Sequence, residues 1–263
     1  PFVNREVKPE DISHLVYTSG STAFPKGALL TQRGMVGGAF WWGEAFSFNS
    51  SDRYLALLPF YHTGGLIVSS MATLLRGGCL HIVESFDPKE VMETVERERI
   101  TGMGAFDSML HRILEHPERS QYDLSSWQKT SSFSGAPYDR RIEAGLSHVI
   151  CFYSLTEASN PVSIVMPDEK RYNIRRNSNG RPLPGVEVKI INPDTEEELP
   201  PGLQGEVWFR GWNRLVGYYK PGPDEAPEKV FDRDGFFRTG DCGYLDDEGY
   251  LYMTGRYKDI VKT

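Results

Sequence analysis

The string YTSGSTAFPKG, Tyr17 to Gly27, packs hydroxyls, glycines and one lysine into a short loop directly behind an apolar run. Those residue types together suit the holding of phosphate. Backbone N–H groups around Gly20 and the hydroxyls of Thr18, Ser19, Ser21 and Thr22 can donate to phosphate oxygens, and Lys26 adds a positive charge. The loop is not a Walker A loop, because Lys26 is followed by Gly27 and not by Ser or Thr. A flexible Ser/Gly-rich surface loop is the competing reading. An apolar strand running straight into the string favours the phosphate cradle.

The surrounding elements must position that loop. His14 to Ser19 reads as a strand entering it. Thr31 to Phe46 is long enough for a helix, although its internal glycines weaken that reading. Tyr54 to Phe60 and Cys79 to Ser85 read as buried strands, with a helix possible between them over Gly64 to Leu75. Asp87-Pro88-Lys89-Glu90 is a helix start, with Asp87 as the cap and Pro88 first in the helix, and Val91 and Val95 then share a face. Phe106, Met109, Leu110, Ile113 and Leu114 follow the helical period up to Pro117. His148 to Tyr153 is the next strand. This alternation predicts an α/β fold of layered α/β sheet subdomains.

Beyond about Pro167 the pattern shifts to short strands broken by Gly, Pro and Asp. Val186, Val188 and Ile190 alternate at period 2, and Asp246 to Gly249 reads as a turn. A small antiparallel β subdomain is expected there. The expected organisation is 1–44 for the phosphate-loop part of an α/β subdomain, 45–167 for a second α/β subdomain, 168–254 for the β-rich part and 255–263 for a hinge.

The phosphate-loop string resembles the signature loop of the adenylate-forming (AMP-binding) superfamily, which includes acyl-CoA synthetases, luciferases and peptide-synthetase adenylation domains. Ala23 stands where that family usually has Gly; if the position needs a positive φ, Ala is disfavoured there by roughly 1 kcal/mol or more. Five further strings match in the family's order: LPFYHTGG (Leu58 to Gly65), SGAP (Ser134 to Pro137), YSLTE (Tyr153 to Glu157), FRTGD (Phe237 to Asp241) and GRYKD (Gly255 to Asp259). Ser154 replaces a usual Gly, and Cys151 a common Asn or Gln. The resemblance covers nearly the whole chain and implies an acyl-CoA synthetase-like core, incomplete at both ends.

The roles implied are specific. His62 lines an acyl pocket. Gly135, Ala136 and Pro137 contact adenine, and Tyr153 offers it a flat face. Thr156 brings a hydroxyl near the α-phosphate, and Glu157 is a hard oxygen ligand for Mg²⁺. Asp241 accepts from the ribose hydroxyls and Arg256 donates to ribose or phosphate. Lys258 is the pivot of the hinge. Taken alone, Tyr153 is as readily a core aromatic, His62 is more often a core residue and Glu157 a solvated one, Arg256 reads as a surface charge and Asp241 as a turn residue.

The resemblance implies a two-step ligase. A carboxylate attacks the α-phosphate of Mg·ATP to give an acyl-adenylate and pyrophosphate, with Lys26, Thr156 and Glu157 as the catalytic groups; a thiol, usually of CoA, then displaces AMP. Peptide-synthetase domains usually carry an Asp after Phe in the substrate segment. Here it reads Phe60-Tyr61-His62, which favours a plain fatty or aryl acid over an amino acid. The alternatives are a non-catalytic nucleotide-binding module of the same fold and an adenylation domain that loads a carrier protein. The family's second essential lysine lies beyond the hinge. The chain opens on Pro1 and stops at Thr263 without a helix end, so it reads as a piece of a longer protein. On that reading Trp41, Trp42 and the run from Leu66 to Leu75 are candidates for uncovered apolar surface.

Composition narrows the classes further. Twenty-nine Lys and Arg stand against 36 Asp and Glu, a net charge of −7, which offers no general attraction to nucleic acid. No stretch reaches the roughly 18 apolar residues of a membrane-spanning helix. Cys79, Cys151 and Cys242 are scattered and form no CxxC pair, which fits a reducing, cytoplasmic setting rather than a disulfide scaffold or zinc site.

Overall fold

A computed structural model describes residues 6–18 and 25–257. In chain order its strands are β1 (Ile12–Thr18), β2 (Lys26–Thr31), β3 (Arg53–Ala56), β4 (Cys79–Ile82), β5 (Gly102–Met103), β6 (Lys129–Ser132), β7 (His148–Leu155), β8 (Asn160–Ile164), β9 (Arg181–Pro182), β10 (Val186–Ile191), β11 (Gly205–Gly211), β12 (Gly217–Tyr218), β13 (Phe237–Leu245) and β14 (Leu251–Arg256). The helices are α1 (Gln32–Ala45), α2 (Ala72–Leu75), α3 (Pro88–Glu98), α4 (Asp107–Leu114), α5 (Ala136–Glu143), α6 (Tyr172–Asn177) and α7 (Pro227–Val230).

Three sheets result. The largest runs β4-β3-β5-β6-β7-β8-β9. It is parallel from β4 to β7 and turns antiparallel at β8 and β9. Its central strands bury both faces. Tyr54 and Ile150 face the core under α1, while their neighbours Leu55 and Val149 face the core under α3 and α4, as the two-residue side-chain period requires. A four-stranded antiparallel sheet, β10-β11-β13-β14, follows. Val186 and Ile190 of β10 join the main core, and Ile191 packs on the other side with Trp208 and Phe236. The third sheet, β1-β2-β12, is antiparallel and small. The layered α/β architecture with an antiparallel β part, expected from the sequence, is therefore present.

Some local expectations need correcting. β3 ends at Ala56 rather than Phe60; Pro59 has no N–H to give a ladder. β4 is an edge strand and not a buried one: it pairs only with β3, and Ile82 is 63% exposed. Phe106 lies outside the apolar face of α4, as an exposed, extended residue at its N-cap, and only Leu110 and Ile113 of that set are buried. Trp42 is no surface residue: it is 1% exposed and its indole N–H donates to Asn160 Oδ1 at 2.7 Å. In the run from Leu66 to Leu75, Ile67, Val68 and Ala72 are buried, and Leu74 and Leu75 are exposed. Much of that run, Gly64–Met71, winds as a π-helix before α2.

The glycines of α1 have a packing reason. The helix starts with Thr31 as its cap, whose hydroxyl accepts from the Gly34 N–H at 3.0 Å. Its inner face lies against Ser159 and Asn160, which hold left-handed backbone at φ 47° and 86°. A Cβ at Gly34 would overlap the Ser159 side chain, and one at Gly38 would sit 2.6 Å from the Ser159 carbonyl oxygen. Glycine's cost in helix propensity is accepted here so that backbone can approach backbone.

At the other side of the molecule, Glu169 accepts from Arg171 and from the Tyr250 hydroxyl, and Arg171 also reaches Glu248 at 2.8 Å. This pins the segment before α6 to the β13–β14 turn. The Arg171 guanidinium and the Tyr250 hydroxyl hold the Glu169 carboxyl down to about 2.

Two predictions follow from this packing. Gly38→Ala gains about 1 kcal/mol of helix propensity but forces Cβ onto a carbonyl oxygen that cannot rotate away. A net destabilisation of about 1–2 kcal/mol is expected in urea unfolding; a more stable variant would mean the helix does not approach Ser159 so closely. For Glu169, the depressed native pKa means that its ion pairing stabilises the fold fully above pH ~4.5 and is lost as pH falls toward 2. The melting-temperature gap between wild type and Glu169→Gln is therefore expected to be largest near neutral pH and to close across that acid window.

Candidate active site

A cleft of about 560 Å³ opens where the three sheets meet. Thr18 and Lys26, at the facing ends of β1 and β2, line one wall. The hairpin register sets them opposite each other, so both flank the phosphate-loop string. Ser19, Gly20, Ser21, Thr22 and Ala23 of that string, and Lys258, lie outside the described residues.

β12 completes this wall. Tyr218 pairs with Ala28 of β2, which brings its ring beneath Lys26, with Nζ 5.6 Å from the ring centroid. The Tyr218 hydroxyl donates to Glu157 Oε1 at 2.7 Å. Burial and the adjoining Glu157 carboxylate push that hydroxyl's pKa far up, so it stays a donor. Lys26 itself pairs with Glu225 at 2.9 Å.

The floor comes from the end of β7. After Leu155 the chain turns through a short 3₁₀ segment, Thr156–Ala158, and then through the left-handed Ser159 and Asn160. This turn sets Ser154, Thr156 and Glu157 along the cleft. Asn160 also borders it. Its amide donates to the Thr63 hydroxyl at 3.2 Å while its oxygen accepts from Trp42, which ties the His62–Thr63 segment to the turn. His62 faces the cleft, and its Nδ1 accepts from the Gly64 N–H at 3.0 Å. With Nδ1 as acceptor, the ring carries its proton on Nε2. Burial lowers its pKa, so the imidazole is neutral at neutral pH.

The far wall is the FRTGD segment of β13 with Arg256 of β14. Asp241 is 5% exposed. Its Oδ2 accepts from the Tyr153 hydroxyl at 2.6 Å, and its Oδ1 accepts from Arg256 Nε at 2.7 Å. A carboxylate offers about four acceptor sites, so two remain. Asp241 also anchors Arg256, whose pKa the carboxylate raises. Gly240 and Arg256 line the cleft beside it.

The structure thus gathers Thr18, Lys26, His62, Thr156, Glu157 and Arg256 around one opening, with Asp241 directly behind Gly240 and Arg256. Two further expected groups do not line this opening themselves. Tyr153 is 7% exposed and sits in the main core, with only its hydroxyl spent on Asp241. Gly135, Ala136 and Pro137 form the start of α5, where the Gly135 N–H donates to the Arg176 carbonyl at 2.7 Å, and they do not line the cleft. Cys151 is fully buried, and burial pushes its thiol up to about 12, which leaves it inert.

Sequence reasoning did not single out Asn160, Tyr218 or Glu225. Tyr218 and Glu225 reach Lys26 only because β12 pairs with β2 across some 190 residues of chain. The left-handed φ of Asn160 offers a weak signal, since Asn tolerates that region better than most residues.

A divalent cation fits the donor set only in part. Among the described residues no group of three His, Cys, Asp or Glu side chains could hold a metal ion. Glu157 keeps Oε2 without a hydrogen-bond partner among them, beside Thr156 and facing the cleft. One carboxylate oxygen suits Mg²⁺ that takes its other ligands from phosphate and water. Among the described residues no helix is long and apolar enough to cross a membrane.

Known proteins sharpen this picture. The model of the family described as AMP-binding enzyme matches residues 1–219. A propanoyl:CoA ligase of Rhodococcus jostii, whose propanoyl group carries a 7a-methyl-1,5-dioxo-octahydro-1H-inden-4-yl substituent, is 36% identical over 97% of this chain and 47% of its own length. A feruloyl-CoA synthase of Amycolatopsis is 34% identical over 96% of this chain and 51% of its own. Among solved structures, ATP-bound MatB from Rhodopseudomonas palustris superposes with a TM-score of 0.86 at 29% identity, over 99% of this chain and 51% of that one. The chain spans about half the length of the relatives it matches. With six motif strings in order, the matching fold and a family model covering most of its length, this chain belongs to the adenylate-forming, AMP-binding enzyme family.

Proposed function

We propose that the chain is the nucleotide-binding core of an ATP-dependent carboxylic acid ligase that forms an acyl-adenylate and then an acyl-CoA thioester. The observation that carries this reading is one cleft lined by Lys26, by the Thr156–Glu157 turn, tied to the Lys26 wall through Tyr218, and by Arg256, which Asp241 holds from behind. Those groups suit, in turn, the terminal phosphates, the α-phosphate and the ribose of a nucleotide. Relatives that are CoA ligases and a neighbour solved with ATP support it.

In this reading Lys26 faces the two phosphates that leave as pyrophosphate. Thr156 donates its hydroxyl to the α-phosphate, where negative charge builds as the carboxylate attacks. Asp241 accepts from the ribose hydroxyls with its two free acceptor sites, and Arg256 fixes that carboxylate while donating toward the nucleotide. His62, neutral, lines the acid's side of the cleft and does not trap the incoming carboxylate in an ion pair as an imidazolium would. The first step is an in-line displacement between two anions, so alignment and charge neutralisation are its main demands. Glu157 is the residue that would hold Mg²⁺, which when bound neutralises phosphate charge. The substrate class is a plain fatty or aryl acid and the acceptor is the thiol of CoA. Lys258 is the pivot about which a further domain would close.

Two measurements test the nucleotide pose in the native polypeptide. Lys26→Ala is expected to weaken Mg·ATP binding by about 1.5–3 kcal/mol, the worth of one charge-assisted contact, while leaving AMP binding nearly unchanged; equal losses would put Lys26 elsewhere. Asp241→Ala is expected to weaken ATP and AMP alike and to lose the preference for ATP over 2′,3′-dideoxy-ATP. Should the variant keep that preference at the wild-type level, Asp241 does not meet the ribose. For the reaction itself, acid-dependent pyrophosphate release across a panel of fatty and aryl acids is expected, followed by AMP release only when CoA is added.

A further inference from the structure

Lys26 does not wait in the cleft as an unpaired cation. Its ammonium meets Glu225 Oε1 at 2.9 Å, and the two side chains are only 22% and 18% exposed. The other carboxylate oxygen of Glu225 accepts from the Gly222 N–H at 2.8 Å, and the Glu225 N–H returns to the Gly222 carbonyl at 3.0 Å. This short turn, Pro223–Glu225, fixes the carboxylate beside Lys26. Both of its oxygens are therefore committed, one to backbone and one to Lys26. The Lys26 hydrogen bond is also what holds the Glu225 carboxyl below its usual range.

We propose that Glu225 is a positioning residue for Lys26 that stands in for a phosphate and must be exchanged for one when ATP binds. The inference rests on the reading that Lys26 faces the terminal phosphates. A lysine ammonium is a compact charge with rotatable donors, so it can swap one oxygen for another without moving its stem. Glu225, tied to Gly222, cannot retreat far. A triphosphate oxygen on Lys26 would thus lie close to a like charge, and ATP binds against that repulsion. The arrangement keeps the Lys26 ammonium over the Tyr218 ring, on the wall of the cleft. It also keeps singly charged anions, including the carboxylate substrate, from occupying Lys26 in place of the nucleotide. Only a ligand with the charge density of a polyphosphate displaces the carboxylate.

Titration calorimetry on the native polypeptide tests this with Mg·ATP and AMP as probes. Glu225→Gln keeps the shape and removes the charge. It is expected to tighten Mg·ATP binding about three- to fivefold, the range of a modest ion pair, and to leave AMP binding unchanged. Glu225→Asp, which keeps the charge, is expected to stay near wild type. The gain from Glu225→Gln is expected to change in a Lys26→Ala background, where no ion pair has to be broken and only direct repulsion between carboxylate and phosphate is left; identical gains in both backgrounds would mean that Glu225 does not act through Lys26. Weaker or unchanged Mg·ATP binding by Glu225→Gln, with Lys26→Ala still impairing it, overturns the proposal and leaves the placement of Lys26 intact. If Lys26→Ala does not affect Mg·ATP binding at all, the underlying reading fails and the proposal with it.

Discussion

A carboxylate that is 5% exposed needs partners for its oxygens, and Asp241 is that group here. Burying an unpaired charge costs far more than a small domain can spare. Asp241 meets the requirement with the Tyr153 hydroxyl from the seven-stranded sheet and with Arg256 from the neighbouring strand of the four-stranded one. The pairing thereby locks the β-rich part against the end of β7. On the opposite wall, the Glu157–Tyr218 hydrogen bond links the turn after β7 to the small three-stranded sheet. The cleft exists because these two bonds draw three sheets to one point.

The turn between the walls shapes everything around it. Two successive left-handed residues, Ser159 and Asn160, reverse the chain so that β8 can run antiparallel to β7 while Thr156 and Glu157 stay at the opening. Such backbone persists only when its surroundings hold it. Asn160 bridges Trp42 and Thr63, and the glycines of α1 let that helix lie directly on the turn. Site geometry and core packing thus share the same residues, and the helix that carries no site residue still sets the position of Thr156 and Glu157.

Both cations are balanced by side chains of the chain itself, Lys26 by Glu225 and Arg256 by Asp241, while Glu157 accepts from the neutral Tyr218 hydroxyl. A nucleotide entering such a site exchanges existing partners, so its affinity is a difference between two sets of contacts.

Much of this was legible in the sequence because it is local. The Asp87-Pro88 helix start, the buried Val91 and Val95, the period-2 strand at Val186–Ile191 and the turn at Asp246–Gly249 depend on neighbours a few residues away. The motif strings fixed the family, and they named six residues that now share one cleft. What the sequence alone misjudged were matters of burial and partner. β4 looked buried because its residues are apolar, yet whether a strand is central or at the edge depends on which other strands pair with it. Trp42 looked like uncovered surface until α1 was laid on Asn160. The burial of the Tyr153 ring and its hydroxyl bond to Asp241 were likewise not visible in the sequence. Tyr218 and Glu225 could not be tied to Lys26 at all, since only the pairing of β12 with β2 brings them within reach. Residue type and spacing determine which chemistry a chain can perform. Tertiary structure decides which polar groups face each other and which are left to meet a ligand, because hydrogen bonds and ion pairs act over a few ångströms whatever the distance along the chain.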